Sequence, residues 1–169
     1  VTRRTPTIAA FDPGKSGAFA IAKPTHIVHG AARAIYSVDD LPLMGAGKQI
    51  ILNGAAIART LAAAHVRHVI IERVHSMPGQ GVAGVFKFGT VFGQILGVVQ
   101  ALEIPYELIE PSKWKRALGL PGGPGKGEAS RGRALELFPH LSAELARKMD
   151  HNRAEALLLA RWWLVKSGG

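Results

Sequence analysis

No cysteine occurs among the 169 residues, so disulfides and thiolate metal sites are excluded, and any metal must be held by oxygen or imidazole. Acids are scarce: Asp and Glu number 12 against 21 Lys and Arg, a formal net charge of +9. That balance makes a polyanion the natural partner, because each phosphate neutralised releases condensed counterions. The opening residues, Val1-Thr-Arg-Arg-Thr-Pro, lack the apolar stretch of a signal peptide. The longest apolar segments are interrupted by Gly, Gln or Arg and are expected to fall short of a membrane span. These absences predict a soluble protein of the cytoplasm, in a bacterium or a phage-infected host cell. What is present is an ordinary globular composition, with 47% apolar residues and enough length for one well-cored domain, 1–169.

Residues 7–11 form a short apolar run that ends in Asp12-Pro13-Gly14, the pattern of a strand entering a sharp turn. Residues 17–22 are apolar again, so the two runs predict a hairpin, and 33–38 predict a third strand. Residues 53–64 carry Ile57 and Leu61 at helical spacing, with Asn53 as a cap. A buried type of strand over 66–71 ends on Glu72. Residues 85–102 predict a long helix with Gly89, Gly93 and Gly97 four apart, a small-residue stripe that a second helix can approach closely. A strand over 106–109 precedes a helix opened by Pro111, a Gly/Pro-rich loop over 119–127, a helix over 128–138, and a last helix over 151–166. This order predicts an α/β fold with a mixed central sheet and helices on both faces.

Three acids stand out by their settings. Asp12 ends one apolar strand and Glu72 another, while Glu155 interrupts the apolar stretch Ala154 to Ala160. Each has a plain explanation: turn chemistry, a solvated strand end, and a salt bridge to Arg153 or Arg161. An unpaired carboxylate in an apolar helix costs several kcal/mol, so Glu155 needs a cation or a hydrogen-bond network. Taken together, acids at two adjacent strand ends converge, and a helix can lean a third over them. Carboxylates that close repel one another unless divalent cations lie among them, and Mg²⁺ or Mn²⁺ matches oxygen ligands. Two such ions, about 4 Å apart, suit phosphodiester hydrolysis.

The segments Phe11 to Gly17, Ile71 to Val74 and Asp150 to Ala160 resemble the three acidic motifs of RuvC-type Holliday junction resolvases, of the phage-borne branch in particular. Pro111 to Gly119 and Lys126 to Pro139 resemble that branch as well, and the likeness runs in the family's order from Ile8 to Ala160. It implies an RNase H-like fold, a homodimer, and paired Mg²⁺-dependent nicks across a four-way DNA junction. One departure stands out: many members carry an aspartate three or four residues before the last acid, where this chain has Asn152 and His151. The fourth ligand beside Asp12, Glu72 and Glu155 is therefore open among Asp150, His151 and Asn152, taken in that order. His151 is also a candidate acid–base group.

Between Pro111 and Arg133, the cations Lys113, Lys115, Arg116, Lys126, Arg131 and Arg133 face one acid, Glu128. A solvated helix pair explains such a cluster. Its place beside the last strand favours phosphate contacts, above all by Lys115, Arg116 and Lys126. Trp114 reads as core or as a base-stacking ring. Lys126 is followed by Gly127, so the glycine loop lacks the GxxxxGK[ST] pattern and no nucleotide cofactor is expected. Residues 77–81 suggest a mobile loop over the cleft, with Phe86 or Phe88 as wedges and His75 close by. Two rivals remain: a junction-binding module that no longer cuts, and an RNase H-like nuclease acting on RNA–DNA hybrids. The helix over 85–102 is the expected homodimer face.

Overall fold

The computed structural model describes residues 5–13, 16–28, 31–46, 50–73, 81–122 and 125–167, with only the backbone for 26–28, 31 and 32. The 77–80 part of the expected loop and His75 lie outside these residues.

Strands β1 (Ile8–Asp12), β2 (Ala18–Val28) and β3 (Ala31–Asp40) form an antiparallel meander. Two short strands, β4 (Leu43–Met44) and β5 (Ile51–Leu52), pair apart from it and lead into α1 (Gly54–Ala63). Next come β6 (His68–Glu72), α2 (Val82–Ala101) and β7 (Tyr106–Ile109). The chain ends with α3 (Pro111–Ala117), α4 (Lys126–Leu137) and α5 (His151–Ser167). The main sheet has the order β3-β2-β1-β6-β7, with β6 parallel to both β1 and β7, which is the mixed sheet the element order predicts.

Strand alternation divides the core in two. Ile8, Ala10 and Ile70 face a cluster with Leu157, Leu158 and Trp114, so this side carries α3, α4 and α5. Ala9, Phe11, Val69 and Ile71 face the opposite side with Ile57, Leu61, Ile95 and Val99, under α1 and α2. The α5 side is lined by small residues, Ala10, Ala18, Ala20 and Ala22, which let a bulky helix press close. α5 packs on β1, β2, β3 and β6 and is covered in turn by α4. Sandwiched in this way, it is buried continuously from Ala154 to Ala160, which is why its apolar residues show no single stripe.

Three details differ from expectation. The β2–β3 ladder continues past residue 22 through a shift between Pro24 and His26, where proline withholds a ladder N–H. The β4–β5 pair is two residues per strand, too short to leave a period in the sequence. α4 begins at Lys126 because Gly125 takes a left-handed turn, φ 78°, that glycine adopts at little cost. A further correction concerns α2: by length and composition it is apolar enough to cross a membrane. Its C-terminal half buries Ile95 and Val99, while Val82 and Phe86 are 87% and 77% exposed.

Candidate metal centre

Asp12 and Glu72 are the last residues of β1 and β6, parallel neighbours in which Phe11 lies opposite Ile71. The two acids therefore finish side by side. They share strand parity with Ala10 and Ile70, so they point toward α5. Glu155, early in α5, meets them there. Ligand oxygens of Asp12, Glu72 and Glu155 lie within 4.8 Å of one another, and all three residues are buried.

Among the described residues, one cation sits in this group. Lys115 of α3 places Nζ 2.7 Å from Glu155 Oε2 and 3.6 Å from Glu72 Oε1, and 5.0 Å over the Trp114 ring. Ser130 of α4 donates its hydroxyl to Glu155 Oε1 at 3.0 Å. Burial, opposed by Lys115 and reinforced by Glu155, pushes the Glu72 carboxyl up to about 7. The buried Trp114 indole also helps hold it down, although its Nε1 makes no well-formed hydrogen bond. Burial would lower the Lys115 pKa, but the Glu72 and Glu155 carboxylates outweigh it and hold the ammonium charged. One lysine cannot offset three carboxylates. The donor set, all hard oxygen at short separation with an ammonium already drawn in, fits a divalent cation such as Mg²⁺.

The structure redirects several sequence expectations. Asp150, first choice as fourth ligand, is absent from the three-acid group and has its carboxylate taken up by Arg147. Its Oδ2 accepts from the Arg147 backbone N–H at 2.7 Å, and its Oδ1 from the Arg147 guanidinium at 2.9 and 2.7 Å. In the tight turn before α5, Asp150 is the third residue, and its carboxylate reaches back to the N–H of Arg147, which opens the turn. His151 stands outside the three-acid group as well, its ring so close to Gly127 that an added Cβ would lie 3.1 Å from its Cγ. Asn152 donates to the Ser16 carbonyl at 2.7 Å, tying α5 to the turn after β1. Lys115, expected on phosphates, is the cation of the acid cluster itself. Arg131, also expected on DNA, spends all three guanidinium nitrogens on Glu128 and the Leu145 carbonyl. Lys113, Arg116 and Lys126 are exposed.

With this geometry, comparison with solved structures becomes decisive for the fold. RuvC of T. thermophilus in complex with a Holliday junction substrate superposes with a TM-score of 0.64 at 18% identity, over 96% of this chain and 95% of that one. The fold is RuvC-like. A second Thermus thermophilus RuvC structure gives 0.58 at 16% identity, over 95% of each chain. A sequence relative is the chloroplastic Holliday junction resolvase MOC1 of Chlamydomonas reinhardtii, 32% identical over 123 residues, or 70% of this RuvC-like chain. The chain spans 14% of that relative's length. No family model matches.

Sequence reasoning missed Ser130. Its signal was the spacing Gly127, Ser130, Ala134, a small-residue face on α4 with one hydroxyl in it.

Proposed function

We propose that this RuvC-like chain is a structure-selective DNA endonuclease, one nuclease domain that resolves Holliday junctions and other branched DNA with Mg²⁺, for which Mn²⁺ substitutes. The observation that carries the reading is the convergence of Asp12, Glu72 and Glu155 at the ends of adjacent parallel strands under α5. The MOC1 relative and the junction-bound RuvC neighbour support the choice of substrate.

Asp12, Glu72 and Glu155 would hold two Mg²⁺ ions. When bound, the ions activate a water and stabilise the leaving 3′-oxygen. The protein orients the carboxylates: strand parity aims two of them, and Ser130 holds the third. Exposed Lys113 and Arg116 stand on α3 with Lys115, and exposed Lys126 opens α4, one turn before Ser130; they would take phosphates of the bound arms. Arg131 joins them only by giving up Glu128. A homodimer formed through α2 would bring two such sites to one junction. The open Gly89, Gly93 and Gly97 stripe lets a second helix approach closely, and the exposed Val82 and Phe86 give it apolar surface to cover. The cytoplasm of a bacterium or infected cell is the proposed setting.

A second reading has its own support. Asp150 faces Arg147 and His151 packs on Gly127, so among the described residues the cluster has three acids, which suits a junction-binding module with weak or no cutting. One gel decides. Four-way, three-way and linear DNA and an RNA–DNA hybrid are incubated with the protein, with and without Mg²⁺. Metal-dependent nicks in the four-way substrate are expected. Tight junction binding without nicks favours the second reading, and a preference for the hybrid sinks both.

A further inference from the structure

The two oxygens of Glu155 are held in unlike ways. Oε2 accepts from Lys115 Nζ at 2.7 Å, and Oε1 accepts from Ser130 Oγ at 3.0 Å. Lys115 is a cation on a long, flexible stem, its side chain 16% exposed, and it sits where metal charge would sit. A divalent ion and this ammonium compete for the same oxygen. Ser130 is neutral, short and 1% exposed, so it has no reason to leave when a metal arrives.

The seating of α4 explains how a hydroxyl reaches that spot. Gly127, Ser130 and Ala134 stand three and four apart on one helix face, and Gly127 already touches His151, one turn before Glu155. Only small side chains allow such an approach. For packing alone an alanine would serve, since a hydroxyl buried without a partner is costly. Among the described residues the hydroxyl has one partner, and that partner is a site carboxylate.

We propose that Ser130 is a positioning residue that locks the Glu155 carboxylate, keeping Oε1 inside the protein so that Oε2 alone faces the metal. Resting on the metal-centre reading above, the inference assigns Glu155 single-oxygen ligation and gives Lys115 the oxygen that the metal takes over.

The test needs no DNA. Mn²⁺ is titrated calorimetrically into the full chain and into Ser130→Ala, Ser130→Thr and Ser130→Val. Threonine and valine share a shape and differ in the hydroxyl, so their comparison holds even if alanine disturbs the fold. Ser130→Ala and Ser130→Val should bind Mn²⁺ roughly tenfold more weakly, as loss of a ligand-orienting contact does, with Ser130→Thr tighter than Ser130→Val. In a Glu155→Ala background, Ser130→Ala should change affinity no further. Equal affinities for the threonine and valine forms would overturn the proposal. So would a Ser130→Ala loss that persists without Glu155, which marks a general structural role. A wild-type chain that binds no Mn²⁺ removes the metal centre itself, a failure distinct from either.

Discussion

Two carboxylate networks lie under α5, one at each end of the parallel strands, and they are balanced in opposite ways. At the N-terminal ends, Glu107 of β7 is one acid among donors. Its Oε1 accepts from Trp163 Nε1 at 2.8 Å and lies 3.0 Å from His68 Nε2, and the His68 ring stacks on Trp163. Burial would raise the Glu107 carboxyl, but Trp163, His68 and Lys166 outweigh it and hold the pKa below the ordinary value. At the C-terminal ends, three acids share Lys115, and Glu72 is pushed up to about 7. An excess of donors makes a finished clamp between helix and sheet. An excess of acceptors makes a site that calls for cations. The same strands and the same helix build both, so depth and charge balance together separate them: the Glu107 side chain is 41% exposed and the Glu72 side chain 9%.

The sharpest way to break that comparison is Asp12→Asn. Removing a ligand charge from the acceptor-rich end should slow junction cleavage on the order of a thousandfold, about 4 kcal/mol in the barrier. Junction binding should stay or tighten, because a charge that repels phosphates is gone. Cleavage kinetics beside a gel-shift titration read both, and near-normal nicking would take Asp12 out of the site.

The cations outside the cluster come next. Replacing Lys113 and Lys126 together with Ala should lower the log–log salt slope of junction binding by about 1.8, at roughly 0.9 per phosphate contact. An unchanged slope returns both to an ordinary solvated face.

Asp150→Asn tests whether the capping turn belongs to the acceptor-rich end. Since its oxygens serve Arg147, cutting should remain within a few-fold of wild type, because an Asn amide oxygen can still accept the Arg147 backbone N–H. The acid limb of stability should change instead. Burial lifts this carboxyl, but Arg147 outweighs the lift and holds it below its ordinary 3.8. A depressed folded-state pKa contributes stability that is present above the unfolded value and lost as pH falls through the folded one. The variant's Tm should therefore fall less steeply below about pH 4 than the wild type's. A collapse of nicking in a stable Asp150→Asn protein would instead make Asp150 a ligand.

The smallest effect belongs to the finished clamp. Glu107→Gln should leave cleavage unchanged and cost about 1 kcal/mol of stability, a Tm loss of roughly 2–4 °C. A cleavage defect without a Tm change would mean that the two ends communicate.

Much of this arrangement was already present in the order of residues. Strand alternation has a period of two and a strand end is a definite place, so the apolar runs closing on Asp12 and Glu72 determined two acids at the same edge of one sheet. A carboxylate inside the apolar run from Ala154 to Ala160 required a partner, whichever one the fold supplied. Helix and strand types followed from periodicity, apart from a two-residue ladder too short to have any. What only the tertiary structure decided was partner choice among polar side chains. Lys115 reaches an acid 40 residues away, Ser130 one 25 residues away, and Asp150 takes an arginine three residues away. Long flexible side chains carry the same charge whether they meet a phosphate, a carboxylate or water. Their destination depends on which elements the core packing brings within about 3 Å, and composition does not encode that distance.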